Sequence, residues 1–311
     1  MNKAQKLAIF LLALFTMNSC VQAQELTRDE TLVIGVVGTN PSKSIKVTTP
    51  LANFLAEKLH KHGIKAAKVV VTKDLKRLSK LIDRDRIDMV SESAFSANEL
   101  IKRGDVELIA RRWKGGVGEY HSIFFTNKQS NVNHFDDLVG RVVAFEDRDS
   151  TSAFYLPAHI LLSNNYDLYE ISHPRELPPK GSIGYFFVSE VSKTNGEANM
   201  MTWVHRKIVA ASAFSNLDWE KEIPPPIRKD LKVFHNGEPI PRALVVARTN
   251  LAPELKSTLQ QALFNAHKTE AGKAVLTRYK NTAKFDAVTE EMRKVVMAMG
   301  EKKKLVDDTL F

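Results

Sequence analysis

Apolar positions along the chain follow two rhythms. Leu32-Val33-Ile34-Gly35-Val36-Val37 is a continuous apolar run, as expected of a strand covered on both faces in a parallel sheet. Residues 68–71 and 87–90 read as two more strands. Between them the spacing becomes helical. Leu51, Phe54, Leu55 and Leu59 recur on one face, with Thr49 as N-cap, Pro50 at the first helical position and Gly63 as the stop. Thr72 is placed to cap a second helix carrying Leu75, Leu78, Leu81 and Ile82. This β-α-β-α-β order requires crossover helices and a mainly parallel sheet.

Residues 122–126 predict a strand leaving this unit, and 142–145 open a second α/β unit. Strands are expected again at 184–188, 207–213 and 243–246. Leu255, Leu259, Leu263 and Ala266 mark an amphipathic helix. Ile223-Pro224-Pro225-Pro226 reads as a stiff, non-helical linker. The simplest assembly is a two-lobed α/β fold whose chain crosses between lobes twice. Residues 30–120 and 240–311 would build lobe I, and residues 121–239 lobe II. No internal repeat or low-complexity segment appears.

Composition narrows the class. The 311 residues are 43% hydrophobic and 26% charged, which excludes collagen-like and largely disordered readings. The one cysteine, Cys20, excludes a disulfide framework and a cysteine metal site. No apolar run reaches the roughly 18 residues a membrane span needs. The N-terminus instead has the three parts of a secretory leader: Lys3 and Lys6, an apolar run at 7–15, and Val21-Gln22-Ala23 as a cleavage site. Cleavage after Ala23 and a periplasmic destination follow. Met17-Asn18-Ser19-Cys20 is a poorer fit to a lipoprotein signal, because Asn18 is atypical before a modified cysteine. The leader removes two lysines and no acid, so a whole-chain charge of +9 becomes +7. In an exported protein that surplus suits anionic ligands or membrane surfaces rather than nucleic acid. Most charges alternate in sign, as in Asp83-Arg84-Asp85-Arg86, and describe a solvated surface.

The sharpest chemical feature is Asp149-Ser150-Thr151-Ser152, between the 142–145 strand and a helical run at 153–162 bent by Pro157. Hydroxyls beside the unpaired N–H groups of a helix N-terminus make an oxyanion cradle. From spacing alone, ordinary N-capping by Ser150 describes the segment at least as well. Gly115-Gly116-Val117-Gly118 lacks the Lys-Ser/Thr of a phosphate loop, and Gly35-Val36-Val37-Gly38 lacks the dinucleotide fingerprint. Both read as turn or packing glycines. His60 and His62 end a charged helix and make a weak metal pair, and no Ser, His and Asp spacing singles out a triad. Trp113, between Arg112 and Lys114, fits a cleft wall and a surface cluster equally well.

Taken together, Arg86-Ile87-Asp88-Met89-Val90, Glu119-Tyr120-His121-Ser122, Asp136-Asp137-Leu138-Val139-Gly140, Phe145 through Pro157, and Glu238-Pro239-Ile240-Pro241 with Leu244-Val245-Val246-Ala247-Arg248 give a resemblance. Over essentially the whole mature length the chain resembles the phosphate/phosphite/phosphonate substrate-binding proteins of ABC transporters. The resemblance implies a type II-like periplasmic binding fold that closes on a ligand between its lobes. It implies that Ser150, Thr151 and Ser152 bind phosph(on)ate oxygens, that Tyr120 donates its hydroxyl to the same anion, and that Ser91, Glu92 and Ser93 line the pocket from lobe I.

The departures concern the rest of the ligand. Relatives that take aminoalkyl phosphonates read Ile-Pro-Gly-Asp-Pro where this chain reads Ile240-Pro241-Arg242-Ala243-Leu244, so an amine-binding acid has become Ala243. The second such acid falls near Asn216, with Asp218 close by. A pocket tyrosine corresponds to Leu75, and a family histidine falls near Asn195-Gly196. An aminoalkyl ligand is therefore disfavoured. Glu92 would repel a dianion unless it is protonated, turned away, or paired with Arg242 or Arg112.

The expected function is a non-enzymatic, monomeric periplasmic receptor that delivers a small oxyanion to an ABC permease, with no cofactor and no metal. The alternative keeps the fold and presents the ligand to a membrane signalling protein.

Overall fold

The computed structural model describes residues 26–192 and 196–311. The leader, Cys20 and Asn195 lie outside the described residues.

The first sheet starts with β1 (Thr31–Val37), β2 (Ala66–Thr72) and β3 (Met89–Glu92), with β1 parallel to both its neighbours. Helices α1 (Pro41–Lys58) and α2 (Leu75–Ile82) make the crossovers, and α3 (Ala94–Lys102) leads to β4 (Val106–Arg112). Further on, β5 (Glu119–Tyr120) carries the chain out, and β6 (Ser122–Asn127) and β7 (Val142–Phe145) start a second sheet. A π-helical turn, Thr151–Tyr155, runs into α4 (Leu156–Ser163), followed by β8 (Leu168–Glu170) and β9 (Ile183–Phe187). Helix α5 (Gly196–His205), β10 (Ala211–Ser215), α6 (Asn216–Lys221) and β11 (Leu231–Asn236) complete that half. The return passes through β12 (Ile240–Pro241), β13 (Leu244–Arg248), α7 (Pro253–Asn265), α8 (Glu270–Arg278), β14 (Phe285–Asp286) and α9 (Glu290–Leu310).

The sheets have the orders β14-β4-β13-β3-β1-β2 and β11-β6-β10-β7-β9-β8. In each, one half is parallel because helical crossovers build it. The other half is antiparallel, built around the strands that enter or leave at the crossing. The crossing is a two-stranded ladder pairing Tyr120 with Ile240 and Glu119 with Pro241. Cores lie on both faces of the sheets. Leu51 and Leu55 of α1 pack on Leu32 and Ile34 of β1, and Phe124, Phe145, Phe154 and Phe187 pack in the second half.

Helix α9 touches both halves. Its Met297 carbonyl accepts from Asn98 Nδ2 on α3 at 3.4 Å, and its Asp307 accepts from Tyr155 Oη at 3.0 Å.

Four local expectations are corrected. The first helix begins nine residues early, with Asn40 as N-cap accepting from Lys43 N and Pro41 in the first turn. Pro50 therefore lies inside the helix. Asp74, not Thr72, caps α2, because Thr72 ends β2 and its hydroxyl donates to the Asp74 carbonyl. Residues 207–210 belong to a turn opened by left-handed Lys207 (φ 57°), so β10 starts at Ala211. Finally, Pro225 starts a short helical turn, Pro225–Arg228, since proline fits a first turn whose N–H groups have no partner.

Candidate functional site

Strand ends meet beside the crossing. Ser91, Glu92 and Ser93 finish β3 or follow it, Arg112 ends β4, and Arg242 stands just before β13. Register fixes this meeting: Glu92 faces Leu244 across the ladder, and the Arg112 amide donates to the Ala243 carbonyl at 2.8 Å. Ser93 caps α3 by accepting from Ser96 N at 3.3 Å.

From the second half comes the 150–152 segment. The Tyr155 amide reaches back to the Ser150 carbonyl at 3.0 Å, which widens the first turn to π geometry. The first N–H groups of such a turn have no acceptor within it. Ser150 is occupied locally: its hydroxyl donates to Glu146 at 2.8 Å and accepts from Ala153 N at 3.3 Å. N-capping, the simpler reading of that residue, is thus present in the structure. Thr151 points the other way. Its Oγ1 lies 3.5 Å from Ser93 Oγ, linking the two halves. Ser152 gives its carbonyl to Ser122 Oγ at 2.6 Å, while its hydroxyl and that of Thr151 approach the Tyr120 phenol. Tyr120 is buried, and burial pushes its phenol up against the opposing pull of Arg242 and the two hydroxyls. The Arg242 guanidinium lies 4.7 Å from the Tyr120 ring centre. Its Nε is buried with no hydrogen-bond partner.

The structure thus gathers Ser93, Thr151, Ser152, Tyr120 and Arg242. Ser91 stands one step back, accepting from Arg112 Nη1 at 3.4 Å. Glu92 forms no ion pair within 4 Å with Arg112 or Arg242. Burial pushes its carboxyl up to about 6, against the pull of Lys114 and Lys280. Ala243, where an acid would hold an ammonium, is buried at the strand start. Asn216 is spent on the backbone, its side chain accepting from His121 N at 3.0 Å. Leu75 packs against the core.

Sequence reasoning missed two parts of this region. Lys280 lies in a turn where it and Asn281 both adopt left-handed backbone (φ 51° and 49°), and the Gly115 amide donates to the Lys280 carbonyl at 3.3 Å. No local pattern marks a lysine 166 positions beyond Lys114 as its neighbour. Glu146 was missed because it follows the strand as an ordinary polar residue. Burial, together with Glu197, Asp147 and Asp218, raises it to about 7 against the hydrogen bond from Ser150. Trp113 is a structural post: its Nε1 donates to Asp286 at 2.8 Å, and Gly118 lies so close that a Cβ would come within 2.7 Å of the ring. Among the described residues no cluster of three or more metal-ligating side chains occurs, and His62 pairs with Thr258.

The chain is 25% identical over 275 residues to the phosphonates-binding periplasmic protein of Escherichia coli K12, covering 86% of this chain and 75% of that one. XAC2383 from Xanthomonas citri, in a structure bound to ATP, superposes with a TM-score of 0.80 at 25% identity, over 91% of this chain and 100% of that one. PhnD1 from Prochlorococcus marinus in complex with methylphosphonate superposes with a TM-score of 0.62 at 18% identity, over 89% and 99%. Residues 34–292 match the model of the family described as "ABC transporter, phosphonate, periplasmic substrate-binding protein". The chain belongs to that family of periplasmic substrate-binding proteins, which serve phosphonate ABC transporters as binding components and not as enzymes.

Proposed function

We propose that the cleft beside the crossing binds a phosphorus oxyanion, held by Thr151, Ser152 and Tyr120 from one side and by Ser93 and Arg242 from the other. The convergence of four hydroxyl-bearing side chains and one guanidinium, contributed by both halves, carries this reading. Hydroxyls at a helix start and a guanidinium form charge-assisted bonds of about 1.5–3 kcal/mol each. A handful of these supports the roughly 8 kcal/mol of a micromolar receptor after ordering costs. Ser150 acts indirectly, fixing the turn through its cap. Methylphosphonate and ATP, the ligands of the two related structures, both present phosphorus oxyanions. Contacts from both halves make the closed form the one the ligand favours, and closure marks a loaded receptor for its partner. That partner is an ABC permease, met by a monomer exported through the 1–23 leader.

The test is thermal shift of the mature protein in phosphate-free buffer with methylphosphonate, phosphate, phosphite and 2-aminoethylphosphonate, and sulfate as control. A saturable rise in Tm with a phosphorus oxyanion, lost in Thr151→Ala/Ser152→Ala, is expected. No rise with any of them overturns the reading.

A further inference from the structure

Four cations stand together on the first-sheet side of the cleft. Arg112 is 3% exposed, with its guanidinium 3.6 Å from the Tyr279 ring centre. It donates to Thr282 Oγ1 at 2.9 Å and to the Tyr279 carbonyl at 2.8 Å. Arg242 covers Tyr120 with its Nε unpartnered. Lys114 and Lys280 project from two turns joined by the Gly115–Lys280 backbone bond, and the 113–114 strand end is fixed further by Trp113 N to Lys284 O at 3.0 Å. Among the described residues none of the four has a carboxylate within 4 Å, whereas Arg111, beside Arg112 in sequence, pairs with Glu119 and Asp286. Glu92 is an acid that acts on Arg112, Lys114 and Lys280, and burial raises its carboxyl to about 6. Burial lowers the proton affinity of Arg112, Lys114 and Lys280, and neighbouring cations lower it further: Lys114 falls to about 8, through burial first and then Arg242, Lys280 and Arg112. Partly buried like charges held together are costly, and an anion between them offsets that cost.

Resting on the oxyanion reading above, we infer that the ligand carries a second anionic group, which lies between Lys114, Lys280 and Arg112 while the first phosphoryl group engages Thr151, Ser152, Tyr120 and Arg242. A lone methylphosphonate leaves the lysines unneutralised, and an aminoalkyl phosphonate brings an ammonium toward them. The second group is a further phosphoryl or a carboxylate, chemistry shared by diphosphates and carboxyalkyl phosphonates.

Titration calorimetry with inorganic diphosphate, phosphonoacetate, methylphosphonate and 2-aminoethylphosphonate tests this. Diphosphate or phosphonoacetate, or both, should bind about tenfold or more tighter than methylphosphonate, and whichever does so names the second group. In Lys114→Met and, separately, Lys280→Met, that preference should shrink about fivefold or more; each variant's unliganded Tm shows that it folds. Methylphosphonate or the aminoalkyl ligand binding as tightly as both dianionic probes overturns the inference and leaves the oxyanion reading standing. So does a preference that both lysine variants keep. If no probe binds, the oxyanion reading itself fails, and the inference with it.

Discussion

Burial shifts the protonation of both Lys114 and Glu146. Burial and three neighbouring cations lower Lys114 to about 8. The unfolded chain, with an ordinary lysine, binds more protons between pH 8 and about 10.5, so unliganded stability should rise with pH across that window. A bound anion favours the ammonium, so anion affinity should fall as pH passes 8. Thermal melts and titrations from pH 7 to 10 check both slopes, and Lys114→Met should flatten them. Glu146 behaves in the opposite sense. Its carboxyl is raised to about 7, so the folded chain holds more protons between the ordinary glutamate value and 7, and stability should fall as pH rises through that range. Glu146→Gln should remove this slope and keep a partner for the Ser150 hydroxyl, which melts between pH 4.5 and 8 would show.

At the scale of elements, Asp88 joins strands that the sequence keeps far apart. Its carboxylate is 3% exposed; it accepts from Val33 N at 2.7 Å, Arg28 at 2.7 Å and Arg248 at 2.8 Å. Asp88→Ala leaves one buried strand amide unpaired and strips Arg28 and Arg248 of their buried carboxylate, leaving them only carbonyl and exposed partners, and should cost about 3 kcal/mol, measurable by urea unfolding. The strands that carry this network were legible because each is a short, continuous apolar run. Helix starts were less so. Asn40-Pro41 and Thr49-Pro50 are both sound openings, and the chain uses the earlier one, whose added turns pack Val47 against the core and bury Thr48. Helix α9 was invisible because its charged stretch Glu301-Lys302-Lys303-Lys304 hides a face held by Val296, Met299 and Val306. In the site, Tyr120 and 150–152 stood out as two separate segments of the family resemblance, whereas the Arg112, Lys114 and Lys280 grouping depends on a turn that only tertiary packing brings alongside β4.

At the scale of the whole molecule, the two halves meet through Thr151 and Ser93, the Tyr120–Ile240 ladder and α9. A hydroxyl contact at 3.5 Å is weak, so under the proposed function the ligand's own bonds would add most to the hold between Thr151 and Ser93. Small-angle scattering should show a smaller radius of gyration with a bound phosphorus oxyanion than without, and no change would argue against closure. Replacing Asp307 by alanine removes the partner of Tyr155 and Lys303 on α9. It should lower Tm and loosen the free protein toward the open form.

The central claim is that a phosphorus oxyanion sits between the 150–152 turn and the first-sheet cations. Calorimetric titration of the intact mature protein and of Thr151→Ala/Ser152→Ala with the same phosphorus oxyanion measures it most directly. Saturable one-to-one binding that weakens about a hundredfold in the variant, with folding unchanged, is the predicted result. Equal affinity in the two proteins would contradict it.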